Sequence, residues 1–159
     1  MRVHRWPPAV EPDELGAIVH GPVVLARSPG VVAALRCVFA HTGGLSLPFV
    51  LRAEGVQAEA ANRQSTSHRL ALEDIGPGTF SEPRVVVRVG EAEGLADASQ
   101  ATSSGGDDAY DLDANFWIDA LPTDGRIVVT VSWVQAGLGE SRTELRLRPW
   151  TGDDVLRLL

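Results

Sequence analysis

Apolar residues in this chain come in short, valine-rich runs that turn residues interrupt before a helix of ordinary length is complete, and no other feature limits the fold as much. Sixteen glycines and ten prolines make the interruptions. Runs of this length, rich in β-branched residues and bounded by Gly, Pro, Asp and Ser, read as strands. The expected strands are Ala17 to Ala26, Val31 to Ala40, Leu45 to Glu54, Arg69 to Asp74, Arg84 to Val89, Ala114 to Leu121, Arg126 to Gln135 and Ser141 to Arg148. SPG at Ser28, HTGG at His41, IGPG at Ile75 and PTDG at Pro122 mark turns between them.

Side chains alternate between the two faces of a strand, so period 2 assigns a core face. Val31, Ala33, Leu35, Cys37 and Phe39 share one face, as do Leu45, Leu47, Phe49 and Leu51. Pro48 has no N–H to give to a ladder and implies an edge strand or a bulge. Asp124-Gly125 is expected to close a hairpin that sets Phe116 against Trp133, Ile118 against Val131 and Ala120 against Val129 on a core face. Gly90 to Ala109 is acidic and rich in small residues, and reads as a long flexible loop, with 90–110 as its span. Residues 1–15 are expected to form an extended arm. In the tail, Thr151 with Asp154 makes a capping box and Val155, Leu158 and Leu159 fall at helical spacing, so 151–159 is expected to be a short helix.

A chain of 159 residues suits one domain, 44% hydrophobic and 22% charged residues lie near the averages of folded soluble domains, and no disulfide is needed to hold it. Cys37 is the single cysteine, which excludes an internal disulfide and fits a reducing compartment. The N-terminus lacks an apolar signal-peptide core, and nothing approaches the roughly 18 apolar residues of a membrane span, so a cytoplasmic location is expected. The net charge is -7, and the fourteen basic residues, all arginine, are scattered singly. Such a chain has no patch on which to collect the phosphates of a nucleic acid.

Candidate chemistry is sparse. Asp111, Asp113 and Asn115 have the D-x-D-x-N spacing that begins an EF-hand loop, and Asp107 and Asp108 would be further ligands. The sixth and twelfth positions, where that loop needs Gly and a bidentate Glu, hold Phe116 and Pro122. A solvated acidic loop is therefore expected, with a cation site as the weaker alternative. The histidines His4, His20, His41 and His68 show no metal-ligand spacing. A hydrolase or metal-dependent site would have to be assembled by folding from His41, His68 and loop carboxylates, and no Gly-x-Ser-x-Gly elbow or nucleophilic cysteine motif accompanies them. Neither SSGG nor HTGG is a phosphate loop, and no cofactor motif is present.

The apolar residues on the wrong faces say more. On the expected hairpin, Trp117, Leu121, Val128 and Val134 point away from the core, and Val32, Ala34, Val38 and Ala40 do the same in the second strand. A face this apolar needs a cover. The covers to be weighed are the chain's own N-terminal arm with Trp6 and its C-terminal helix, a second copy, another protein, or a small ligand or sugar stacked on Trp117. The expected function is a non-catalytic interaction module that binds a protein partner or its own copy through Trp117, Leu121, Val128 and Val134.

Phe116 to Leu147, FWIDALPTDGRIVVTVSWVQAGLGESRTELRL, carries an aromatic strand, a Leu-Pro turn with Gly, a strand ending in Trp, and a Gly-Leu-x-Glu-Ser-Arg step at Gly137 to Arg142. With Pro22 to Glu54, it resembles a group of uncharacterised actinobacterial β-sandwich proteins of unknown function. The likeness covers about half the chain, and its motifs are structural. It implies no activity. Together with the strand pattern, it leads to an all-β expectation: an immunoglobulin-like sandwich of two antiparallel sheets with a short C-terminal helix.

Overall fold

The computed structural model describes residues 4–8, 12–74, 82–106 and 108–158, with backbone alone at 66–74 and 99–100. In chain order the strands are β1 (Arg5–Trp6), β2 (Glu14–Leu15), β3 (Ala17–His20), β4 (Val23–Ser28), β5 (Val31–Leu35), β6 (Val38–Ala40) and β7 (Leu45–Glu54). Helix α1 (Gly55–Asp74) follows, then β8 (Arg84–Val89), β9 (Ala92–Ala96), β10 (Ala98–Gly105), β11 (Ala109–Ile118), β12 (Arg126–Trp133), β13 (Leu138–Arg146) and β14 (Leu156–Arg157). The fold is all-β, as expected.

One sheet has the order β1-β9-β8-β12-β13, and a second has β10-β11-β7-β5-β4 with β3 and β6 completing it. Pairing is antiparallel throughout except between β1 and β9. Both sheets feed one apolar core. Leu35, Leu47, Phe49, Leu51 and Ile118 come from the second sheet, and Val87, Ile127, Val129, Val131 and Trp133 from the first. Along one side the sheets are joined where the Thr143 hydroxyl donates to the Leu25 carbonyl (3.4 Å) and the Gly139 N–H to Ser28 Oγ (3.3 Å). On the other, the chain passes from β9 to β10 through Asp97.

Several expectations are corrected. β11 and β12 do not form a hairpin, because β11 pairs with β7 and β10 while β12 pairs with β8 and β13. The PTDG turn instead carries the chain between sheets, with Gly125 at φ +71° and the Arg126 N–H held by the Asp124 carboxylate at 3.0 Å. The core assignment survives for Phe116, Ile118, Val129, Val131 and Trp133, all buried, while Ala120 is half-buried against them. They face one another across the core instead of side by side.

The stretch read as one strand from Val31 to Ala40 is broken at Arg36-Cys37. Val31, Ala33 and Leu35 point inward as expected, but after the break Val38 and Ala40 are the buried pair while Cys37 and Phe39 are half-buried. An irregularity of this kind flips every later side chain to the other face. Pro48 explains its position: its carbonyl accepts from Arg36 (2.9 Å), so its missing N–H faces the gap between β5 and β6. Its strand is central, not an edge.

The segment from Gly90 to Ala109 is not a loop but the two strands β9 and β10. Arg69 to Asp74, expected as a strand, belongs to α1. Among its described side chains, α1 buries Ala58 and Ala61, too small to write an amphipathic signal. At the tail the capping box forms, with the Thr151 N–H donating to Asp154 at 2.8 Å, but it caps one 3-10 turn, Gly152–Asp154. A nucleus so short has no following turns to repay its ordering, and the chain leaves as β14 to pair with β2.

Candidate functional site

The residues expected to make a partner surface are not gathered on one face. Trp117 is 7% exposed, covered by the turn between β6 and β7. The His41 ring lies against its indole at 5.6 Å, and a Cβ on Gly44 would fall 2.6 Å from that ring, so glycine is required for the close approach. Val128 lies on β12, in the other sheet, between Glu144 and Arg88. Leu121 is half-buried against the core, and Val134 is exposed beyond the end of β12. The apparent second apolar face therefore has two causes: a phase change at Arg36-Cys37 and a turn folded over Trp117.

That turn is itself a polar cluster. The Glu14 carboxylate accepts from the Thr42 N–H (2.8 Å) and hydroxyl (2.9 Å), and lies 3.3 Å from His41 Nδ1. The Thr42 N–H, chiefly, with the Thr42 hydroxyl and His41, lowers the Glu14 pKa, although burial opposes it. His41 is fully buried, and its Nε2 side is closed by Gly16, where a Cβ would lie 2.8 Å away. A carboxylate orienting an imidazole is half of a hydrolytic arrangement. Substrate has no approach to the other half. His68 falls in α1, and its side chain lies outside the described residues. His4 stacks edge-on to Trp6, and His20 Nδ1 lies 2.7 Å from the Gly21 carbonyl.

Asp111, Asp113 and Asn115 occupy alternate positions on β11, so they share the outer face of the sheet. Arg52, on the neighbouring β7, pairs with Asp113 at 2.8 Å and Asp111 at 3.4 Å, and Arg36 approaches Asp113 at 3.8 Å. Asn115 accepts from the Ser46 hydroxyl at 2.9 Å. The D-x-D-x-N spacing is a cross-strand ladder between carboxylates and guanidinia. Asp107 lies outside the described residues, Asp108 contributes its backbone carbonyl to the Gly55 N–H (3.2 Å), and among the described residues no three ligating side chains converge on a metal position.

One concave site was not foreseen. A cavity of about 400 Å³ lies between the sheets where β10 and β11 pass α1. Phe49 and Phe116 meet edge-to-face in its wall at 5.5 Å, and Tyr110 and Trp133 at 5.8 Å. A hydrogen bond of 2.8 Å between the Ser65 and Tyr110 hydroxyls supplies polarity. Glu82, Ala101 and Ser103 line it while remaining exposed, and so mark the mouth. Its walls come from strands far apart in the chain and from a helix, so no local pattern could have announced it. No protein-family model, curated protein or solved structure matches this chain, and its function has to be read from these side chains.

Proposed function

We propose that the protein is a non-catalytic binding protein whose ligand is a small, largely apolar molecule held between its sheets. The observation that carries this is the aromatic-walled cavity of about 400 Å³, because binding sites are concave, mostly apolar and furnished with a few convergent polar groups, typically over about 300–1,000 Å³. The enclosure of His41 favours binding over catalysis. The architecture that goes with this reading is an immunoglobulin-like sandwich in a cytoplasmic protein.

The test is the fluorescence gain of N-phenyl-1-naphthylamine, a neutral dye that brightens in apolar surroundings, on titration with the protein. We expect saturable binding in the wild type and its loss in Ala101→Trp, which puts an indole in the mouth without touching the core. An unchanged signal in that variant, or no saturable gain at all, overturns the proposal.

A second reading keeps the partner surface but moves it. Among the described residues, four of the seven exposed large hydrophobics are Leu15, Ile18, Leu156 and Leu158, and Leu15 and Leu156 are directly opposed in the β2–β14 pair. A protein partner or a second copy of the chain would dock there, not on Trp117.

A further inference from the structure

The cavity's lining has a chemical sign that its shape alone does not convey. Among the described residues that line it there is no arginine or histidine, and the charged ones, Glu82 and Asp97, are both acidic. Asp97 is already held by Arg5, whose guanidinium reaches both its carboxylate oxygens at 3.0 and 3.1 Å. Glu82 is exposed to water. An anionic ligand entering here would give up its hydration beside two carboxylates and in the field of a net charge of -7, with no cation among the described lining residues to replace it. A cation would meet one screened carboxylate at the rim, one engaged carboxylate, and aromatic walls whose rings are packed edge-to-face against each other.

What the interior does offer is the Ser65–Tyr110 pair. Two hydroxyls that share one hydrogen bond keep one donor and several lone pairs between them. Tyr110 is 3% exposed, and both it and Ser65 line the cavity among its apolar walls, within reach of a ligand there. Resting on the cavity reading above, we infer that the ligand is an uncharged aromatic or alicyclic molecule of roughly two or three fused rings, carrying a hydroxyl or carbonyl that bonds to Ser65 and Tyr110.

Calorimetric titration with four probes of one ring size, naphthalene, 2-naphthol, 2-naphthoate and 2-naphthylmethylammonium, separates the alternatives. 2-Naphthol is expected to bind at least about tenfold more tightly than either charged probe. Tyr110→Phe is expected to bring 2-naphthol down to the affinity of naphthalene while leaving naphthalene unchanged. Equal or tighter binding of the carboxylate or the ammonium overturns the uncharged class and leaves the cavity reading standing. Equal loss of naphthol and naphthalene in Tyr110→Phe means that the hydroxyl shapes the wall without contacting ligand, and Ser65→Ala then repeats the test from the other partner. If none of the four binds, the cavity reading itself falls.

Discussion

Trp117 and Glu14 lie 103 residues apart in the chain, yet they meet on two sides of one turn, and each carries a consequence at the residue scale. With its indole 7% exposed against His41 and Gly44, Trp117 contributes as a buried aromatic. Trp117→Ser is expected to lower stability by about 3–5 kcal/mol in urea unfolding. A loss under about 1 kcal/mol, the size of an ordinary surface change, would mean that the turn does not cover it in solution. Glu14 makes the turn sensitive to acid. Its folded pKa is lowered, first by the Thr42 N–H, so the unfolded chain takes up this proton at higher pH than the folded one. The stabilisation is complete above the ordinary glutamate value of about 4.3 and is lost as the pH falls through the lowered folded value. In Glu14→Gln, the drop in unfolding midpoint between neutral and acid pH should be smaller than in the wild type. An equal drop in both would show that the Thr42 contact adds nothing. Cys37, whose thiol pKa burial raises, takes no part in either effect.

Elements were legible where apolar alternation was long and uninterrupted, as in β7, β8 and β12, whose inward residues are those the period-2 pattern assigns. They were illegible for three separate physical reasons. Over its described side chains α1 buries alanines, which add helix propensity but little hydrophobic contrast. The strand from Val31 changes phase at Arg36-Cys37, and a break without glycine or proline leaves no local mark. β10, ASQATSSG, has the composition of a loop and is a strand because β11 offers it an edge to pair with. That last point can be checked by hydrogen exchange. Alternate amides of residues 100–105 should be protected, those directed at β11, whereas a loop would exchange throughout. Uniform fast exchange over that segment would remove β10 and, with it, one wall of the cavity.

At the scale of the whole molecule, two surfaces compete to explain function: the cavity between the sheets, and the leucines where β2 and β14 run together. They respond to different perturbations. Leu156→Asp places a charge on a residue that is 58% exposed, so it should leave the unfolding midpoint within about 0.5 kcal/mol of wild type and leave dye binding intact. If the leucine surface joins two copies, sedimentation velocity will show wild-type association that rises with concentration and disappears in this variant. A wild type that sediments as a monomer at every concentration eliminates the second copy as its occupant. No helix among the described residues is long and apolar enough to cross a membrane.

The sequence by itself determined the all-β class and the inward faces of the long strands, because strand alternation and turn residues are local properties that a reader can count along the chain. Tertiary structure alone decided which strands are neighbours, and so where Trp117, the DLDAN carboxylates and the aromatic rings end up. Pairing depends on contacts between residues far apart in the chain: Asp113 is matched by Arg52, Tyr110 by Ser65 and Trp133, and His41 by Glu14. The same residues that read locally as a calcium loop and an exposed aromatic face become an ion ladder and a buried turn. The cavity exists only because two sheets and a helix close around a space that none of them contains.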